Sequence, residues 1–230
     1  MPYLSRTDAV WELYLGTEGA ELDPDNPENR FGSTWMSTVH DLLDTVEKEP
    51  AGALVITATG KFFSNGLEIA EITDPSKIDP YIDLVHALYA RILSLPVATV
   101  AAINGHAFGA GAMLALCADH RVMRTERGFW SLPEVVLGMP FPIGMTSLLR
   151  ERIPDATVTE AMTTGRRYGA VEAVEFGIVD QAVGADELLS TARGVAADRV
   201  PFAGPNLAVI KKGLRRTLLT DLATPSANGS

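Results

Sequence analysis

The sequence contains a single cysteine, Cys117, in 230 residues. One thiol forms no disulfide within the chain and supplies no multi-cysteine metal site. No apolar run reaches the roughly 18–20 residues that a membrane-spanning helix needs. The N-terminus also lacks the basic segment followed by an apolar segment that is typical of a secretory signal. We therefore expect a cytoplasmic protein with no membrane partner.

Positive charge is scarce. The chain carries 19 Lys and Arg against 29 Asp and Glu, so the net charge is −10 at pH 7. Such a field repels a polyanion, and we expect no nucleic-acid partner. The four histidines are scattered without metal-ligand spacing, so we expect neither a metal nor a cofactor. With 47% hydrophobic and 21% charged residues, the composition is that of a globular domain with a sizeable core.

One local cluster of cations stands out near the C-terminus, in "IKKGLRR" at 210–216. On a helix, Lys211 would stack on Arg215 and Lys212 on Arg216. Two interpretations are open: a solvated cationic face near a helix C-terminus, or a contact for an anionic small molecule.

Short β-branched runs alternate along the chain with segments of helical periodicity, which predicts an α/β fold. We predict strands at 8–15, 52–60, 97–103, 120–125 and 177–183. We predict helices at about 31–48, 79–95, 111–119, 142–152, 156–163, 169–176, 186–199 and 204–220, with an irregular segment at 128–142.

The stretch "INGHAFGAGAM" at 103–113 places small residues where a buried strand leads into an apolar helix. Small residues there let a ligand oxygen approach the unpaired amides of the first helical turn. The glycine spacing matches neither a dinucleotide-binding nor a P-loop motif. The alternative is that these residues only let the helix pack closely on the sheet.

A second stretch, "GKFFSNGLEI" at 60–69, also follows a buried strand and contains a small turn, Ser64-Asn65-Gly66. Two loops at strand ends can direct two amides at one carbonyl oxygen. This is the arrangement of an oxyanion hole.

A third stretch, "FWSLPEVVLGM" at 129–139, places Glu134 among apolar residues. A buried carboxylate is costly unless it is paired or used. Burial raises the pKa of such a group toward the range that suits proton transfer. The alternative is a Glu134 that caps a helix or forms a salt bridge.

These three stretches, with "TGRRYGAVEAVEFGIVDQAV" at 164–183, resemble the crotonase superfamily, the enoyl-CoA hydratase/isomerase family, over about residues 50–185. The resemblance implies an α/β fold, a spiral of ββα turns with a C-terminal helical region. It implies a core at 1–185 and a C-terminal helical arm at 186–230 that serves in trimerisation. It also implies an acyl-CoA substrate and a homotrimer or dimer of trimers.

The resemblance further implies roles for individual residues. The amides of Ser64 and Ala110 would hold the thioester oxygen, and Glu134 would be catalytic. The substrate would contact Lys61, Phe62, Asn65, Gly66, Leu67 and Gly109. Aromatic residues expected to line the acyl pocket are Phe62, Phe63, Phe129, Trp130 and Phe141.

The sequence departs from family hydratases at one position. Hydratases use two glutamates, and the one three residues past the oxyanion amide is replaced here by Met113. Water addition is poorly served by one carboxylate, whereas moving a double bond needs only one proton shuttle. We therefore expect an isomerase that converts a 3-enoyl-CoA into the trans-2 isomer. The alternatives are a hydratase or other reaction using different acids, such as Glu68 or Glu71, and a non-catalytic acyl-CoA-binding subunit.

Overall fold

The computed structural model describes residues 1–49 and 51–226, and these residues form two β-sheets surrounded by helices. The strands are β1 Tyr3–Thr7, β2 Val10–Tyr14, β3 Ala53–Thr57, β4 Phe62–Ser64, β5 Ala98–Ile103, β6 His106–Phe108, β7 His120–Arg124, β8 Trp130–Ser131, β9 Arg167–Tyr168 and β10 Gln181–Val183. The helices are α1 Ser33–Lys48, α2 Pro75–Ser94, α3 Ala110–Leu116, α4 Glu134–Leu137, α5 Ile143–Arg152, α6 Asp155–Thr164, α7 Ala170–Glu175, α8 Leu188–Ala197, α9 Pro205–Leu214 and α10 Arg216–Leu222.

The chain repeats a strand–strand–helix unit three times. In each unit the first strand lies in a six-stranded sheet of order β1-β2-β3-β5-β7-β10, and the second lies in a four-stranded sheet of order β4-β6-β8-β9. The units are β3-β4-α2, β5-β6-α3 and β7-β8-α4. Equivalent strands pair in parallel, so the ends of β4, β6 and β8 lie side by side. The loops that follow these three strands therefore meet, and the three sequence motifs lie in those loops.

The core lies on both faces of the larger sheet. β3 and β5 are buried along their whole length, which agrees with their β-branched sequences. One face packs against α1, α2 and α3, and the other packs against α8 through Leu188, Ala192 and Ala196. Among the described helices, none combines the length and apolarity that crossing a lipid bilayer requires.

The α/β class and most element positions are confirmed, but three local predictions are wrong. The strand predicted at 8–15 is confirmed as β2; it is the second arm of a hairpin whose first arm, β1, the sequence does not predict, and Asp8 adopts a positive φ of 54° between the two. The segment 128–142, predicted irregular, contains β8 and α4. The strand predicted at 177–183 covers only β10, and the helix predicted at 204–220 breaks at Arg215 into α9 and α10.

The cation cluster near the C-terminus contributes to the core. Lys211 and Arg215 are buried, and both bond the carboxylate of Asp119 at 2.8 Å. Lys211 also donates to the carbonyl of Val97, and Arg215 to that of Leu93. Burial alone would raise the pKa of Asp119, but the two cations hold that pKa below its usual value. Both interpretations from the sequence are therefore wrong for Lys211 and Arg215, which attach α9 to the core.

We expect Asp119→Ala to lower the free energy of unfolding by about 3–5 kcal/mol, because it leaves two buried cations without their counter-ion. Urea denaturation measures this change. The control is Asp44→Ala, which removes an exposed partner of Arg91 and should lower the free energy of unfolding far less, because solvent screens an exposed ion pair. Equal losses in the two variants would contradict a structural role for the buried cluster.

Candidate active site

Two adjoining cavities lie where the three loops meet. They share Leu67, Ala110, Glu134 and Met139 in their walls. The inner cavity has a volume of about 110 Å³ and a mostly apolar wall formed by Leu67, Ile78, Asp79, Ile82, Ala110, Met113, Glu134, Met139, Pro140, Phe141, Pro142, Met145 and Ser226. The outer cleft has a volume of about 260 Å³ and is lined by Arg30, Asn65, Leu67, Ile69, Phe108, Gly109, Ala110, Pro133, Glu134, Leu137 and Met139.

Glu134 stands at the junction of the two cavities. It is the first residue of α4, a single turn that follows β8 and ends at Gly138 in the left-handed conformation. Its Oε2 is buried and has no hydrogen-bond partner among the described residues. Burial raises the pKa of Glu134 to about 7, against a smaller opposite effect of its own backbone amide. A carboxyl group with this pKa exchanges protons readily near neutral pH.

Gly109 provides the space that the Glu134 carboxyl group occupies. Its φ of 52° and ψ of −123° favour glycine, and a methyl group built on it would lie 3.1 Å from Glu134 Oε1. The Gly109 amide donates to the carbonyl of Ser131 in β8 at 3.0 Å. This bond ties the loop after β6 to the strand that leads into Glu134.

For Ser64 the structure contradicts the predicted oxyanion role. Ser64 is fully buried and pairs with Ala107 in the smaller sheet. The amide of Ala107 donates to the carbonyl of Phe129, so the ladder bonds of this pair belong to the backbone of Ser64. The Ser64 hydroxyl donates to the carbonyl of Asn29 and accepts from the amide of Gly66, and it thereby supports the turn.

Another amide of the same loop, that of Leu67 three residues further along, faces the site. Leu67 lines both cavities, and its amide has no acceptor among the described residues. Ala110 also lines both cavities, and its amide is likewise without an acceptor in the described part of the chain. A methyl group built on Gly66 would lie 3.0 Å from the Ala110 nitrogen, so the two loops touch at this point. Two unpaired amides and one buried carboxyl group thus share a single junction.

The remaining predicted residues divide into two groups. Asn65, Leu67 and Gly109 line the outer cleft, and Met113 and Phe141 line the inner cavity. The ring of Phe62 lies beside His106, and the ammonium of Lys61 lies over the Phe62 ring. Both residues lie outside the two cavities, so their contact with substrate stays a prediction.

The aromatic and acidic candidates are partly corrected. Phe63 and Trp130 are core residues, and Phe129 packs near His106 away from the cavities. The side chain of Glu68 accepts from the amide of Ala70, and that of Glu71 accepts from Ser33 at the start of α1. Neither acid lines a cavity with Glu134.

The sequence does not identify several residues of the cavity walls. Asp79 and Ser226 lie in the wall of the inner cavity, and Arg30 lies in the wall of the outer cleft. Ser226 is held by Asp83, which accepts from both its amide and its hydroxyl at 2.9 Å. No local motif marks these residues: Asp79 and Ser226 reach the inner cavity through the packing of α2 and the C-terminal segment, and Arg30 reaches the outer cleft because the segment before α1 pairs with Leu67. Among the described residues, no three His, Cys, Asp or Glu side chains group as metal ligands.

Solved structures define the class of fold. An enoyl-CoA isomerase from Mycobacterium tuberculosis superposes with a TM-score of 0.87 over 99% of this chain and 96% of its own, at 24% identity. The human mitochondrial delta3-delta2-enoyl-CoA isomerase superposes with a TM-score of 0.86 over 99% of this chain and 91% of its own, at 21% identity. The predicted spiral fold of the crotonase class is therefore confirmed.

Sequence comparison then gives the family. The model of the enoyl-CoA hydratase/isomerase family matches residues 20–227. Peroxisomal enoyl-CoA delta isomerase 2 of Arabidopsis thaliana is 34% identical over 165 residues, 67% of this chain and 69% of its own. Carnitinyl-CoA dehydratase of Escherichia coli K12 is 37% identical over 218 residues, 94% of this chain and 80% of its own. The protein belongs to the enoyl-CoA hydratase/isomerase family and is similar to both isomerases and a dehydratase.

Proposed function

We propose that the protein is an enoyl-CoA isomerase that shifts a 3-double bond of an acyl-CoA thioester to the trans-2 position. One observation carries this proposal: Glu134 is the single glutamate in the walls of the two cavities, and Met113, the position at which the family resemblance implies a second glutamate in hydratases, lines the inner cavity. The similarity to enoyl-CoA delta isomerases supports it.

The substrate would lie across both cavities. The acyl chain fits the apolar inner cavity, while the CoA moiety extends through the outer cleft past Asn65 and Arg30. The thioester carbonyl then lies at the junction, within reach of the amides of Leu67 and Ala110. We therefore assign the oxyanion hole to Leu67 and Ala110, with the Ala110 amide retained from the sequence analysis.

The chemistry needs one base and two hydrogen-bond donors. The Glu134 carboxylate removes a proton from C2, and the electrons of that C–H bond form a C1–C2 double bond as the carbonyl π electrons move to the thioester oxygen. The intermediate carries negative charge on the thioester oxygen, which the two amides stabilise by several kcal/mol. Protonated Glu134 then gives the proton to C4: the C3–C4 π electrons form the new C–H bond, the C1–C2 π electrons become the C2–C3 double bond, and the carbonyl group re-forms. Met113 and the other apolar side chains keep water away from the intermediate.

Two assays test the proposal directly. We expect the purified protein to convert 3-hexenoyl-CoA into 2-hexenoyl-CoA and to hydrate crotonyl-CoA far more slowly. The similarity to carnitinyl-CoA dehydratase favours a second candidate, a reaction that adds or removes water. Hydration as fast as isomerisation would support that candidate. Thermal stabilisation by acyl-CoA without turnover of any thioester would instead indicate a binding subunit.

The pH profile gives a further prediction. Because Glu134 acts first as a base and its pKa is raised to about 7, kcat/KM should increase with pH and level off above that value. At pH 6 we expect about one tenth of the plateau, since one unit below its pKa a carboxyl group is about one tenth ionised. Isomerisation rates measured from about pH 5.5 to 8.5 check this expectation. A profile that is flat or falls over this range would contradict Glu134 as the base.

The oligomeric state, the cytoplasmic location and the role of 186–230 as a trimerisation arm stay predictions. α10 packs on α2 and α5 of the same chain, so part of this region serves the core. α9 leaves Val209, Ile210 and Leu214 exposed. We expect contacts between copies of this chain to involve that exposed face.

A further inference from the structure

Helix α2 carries two buried tyrosines whose hydroxyl groups reach the two loops of the proposed oxyanion hole. The Tyr89 hydroxyl donates to the carbonyl of Ala110 at 2.7 Å. The Tyr81 hydroxyl donates to the carbonyl of Phe31 at 2.6 Å and accepts from the amide of Glu68 at 2.9 Å. Each tyrosine therefore holds backbone at or next to one of the two unpaired amides.

The bonds around Leu67 show how its amide is aimed. The amide of Phe31 donates to the carbonyl of Gly66 at 2.8 Å, which is the carbonyl of the peptide that carries the Leu67 N–H. The next amide, that of Glu68, is held by Tyr81. With its neighbours fixed on both sides, the Leu67 peptide keeps one orientation. The Leu67 N–H, which has no acceptor among the described residues, is therefore available to donate a hydrogen bond into the cavity.

The equivalent peptide of the second loop is held in a similar way. The carbonyl of Gly109, which shares a peptide with the Ala110 N–H, accepts from the amide of Met113 at 3.1 Å. Tyr89 then fixes the far side of Ala110. A carbonyl that accepts a hydrogen bond polarises the N–H of its own peptide, so both donors are also strengthened.

The helix gives the two tyrosines a fixed separation. Tyr81 and Tyr89 are eight residues apart, about 12 Å along the axis and about 80° around it, so they leave the same side of α2. Tyr89 is fully buried and Tyr81 is 5% exposed, and burial raises the pKa of both hydroxyls. Both hydroxyls therefore stay protonated and keep donating around neutral pH.

We propose that Tyr81 and Tyr89 are positioning residues that set the distance between the Leu67 and Ala110 amides, with α2 as a rigid spacer. This inference rests on the proposed assignment of those amides to the oxyanion hole. Donors act on a developing oxyanion only from about 2.7–3.1 Å. A displacement of either loop by a fraction of this distance therefore weakens the stabilisation of the intermediate.

The test uses variants that remove only the hydroxyl group. In Tyr89→Phe and Tyr81→Phe the rings keep their packing, such as the edge contact between Tyr89 and Phe31. We expect each variant to lower kcat for 3-hexenoyl-CoA about tenfold, below the 10²–10³ lost when a whole donor is removed. KM should change less than about twofold, because substrate binding depends mainly on the cavities. The fold-loss in kcat of the double variant should be smaller than the product of the two single-variant losses, since both hydroxyls set the same distance between the Leu67 and Ala110 amides.

A spectroscopic measurement separates positioning from folding. Bound 2,4-hexadienoyl-CoA absorbs at longer wavelength when hydrogen bonds polarise its carbonyl, so each variant should show a smaller red shift than the unmodified protein. The matched control is Tyr168→Phe. Tyr168 is equally buried, and its hydroxyl bonds Glu160 away from the cavities. This control should lose stability but keep kcat and the red shift.

The outcomes distinguish the positioning role of the two tyrosines from the proposed isomerase function. Normal kcat and red shift in both tyrosine variants, with only a lower melting temperature, would overturn the positioning role and leave the isomerase proposal intact. An unmodified protein that shows no red shift would overturn both the oxyanion assignment and this inference. If the protein shows the red shift but no turnover, the shifts of the two variants still test the positioning role. If one variant does not fold, the other supplies the test.

Discussion

Glu134→Gln should abolish isomerisation, with a loss in kcat of about 10³-fold, within the range found for general acid–base groups. The amide has the shape of the carboxyl group but cannot remove a proton from C2. Affinity for a saturated acyl-CoA should change little, because the cavity walls and the two amides remain. Product formation from 3-hexenoyl-CoA and acyl-CoA titration measure the two quantities.

The control for this variant is Glu71→Gln, because Glu71 is one of the alternative catalytic acids that the sequence suggests. Its side chain contacts Ser33 and lies outside the two cavities. We expect this variant to keep its activity. Unchanged turnover in Glu134→Gln would reject the proposed mechanism, and loss of activity in Glu71→Gln alone would transfer the base to that residue.

The same substitution should stabilise the protein at alkaline pH. The pKa of Glu134 is raised from 4.5 to about 7, so the folded protein binds its proton more tightly than the unfolded chain does. The free energy of unfolding then falls as pH rises through this range, by about 3 kcal/mol in total. Glutamine removes this penalty. The melting temperature of Glu134→Gln should exceed that of the unmodified protein at pH 8 but not at pH 4, and a gain independent of pH would contradict this explanation.

Gly66→Ala should reduce kcat by about 10²-fold or more, comparable to the loss of an oxyanion donor. Gly66 has a φ of +84°, and a methyl group there would lie 2.9 Å from the carbonyl oxygen of Phe108 and 3.0 Å from the amide of Ala110. Backbone atoms cannot yield as a flexible side chain can. The two loops would separate, and the amides of Leu67 and Ala110 would no longer converge on one oxygen.

Gly19→Ala is the matched control for this change. Gly19 has a similar φ of +75°, but a methyl group there meets no atom within 4 Å. Gly19→Ala therefore introduces a similar backbone strain, about 1–2 kcal/mol, without a steric clash. Both variants should lose stability, and only Gly66→Ala should lose activity and the red shift of bound 2,4-hexadienoyl-CoA. Equal activity in the two variants would show that the loops do not need this close contact.

Local sequence predicted much of the fold because hydrophobic periodicity is a local property. β3 and β5 follow directly from their β-branched runs, and α2 from its helical spacing. The four-stranded sheet is difficult to predict from the sequence, since β4, β6, β8 and β9 are two or three residues long. Such short strands carry no periodicity and exist because their neighbours pair with them.

The candidate site divides in the same way. Glu134 and the small residues around Ala110 were recognised because they break the local apolar pattern. The sequence predicts an oxyanion role for the Ser64 amide, whereas we propose that of Leu67, because the availability of a backbone N–H cannot be inferred from the side-chain sequence. A backbone amide of this loop is free for substrate only if it is not hydrogen-bonded to β6, and the pairing of β4 with β6 is a property of the folded structure.

The sequence by itself determined the alternation of strands and helices, the motifs that place the chain in its family, and the presence of Met113 in the helix after the second loop. Only the tertiary structure decided which amides are free, which cations are buried and which residues enclose the inner cavity. Lys211 and Arg215 resemble a surface patch until Asp119 is brought beside them from 92 and 96 residues away. The physical reason is that hydrogen-bond supply and desolvation depend on neighbours in space, and a linear pattern reports only neighbours along the chain.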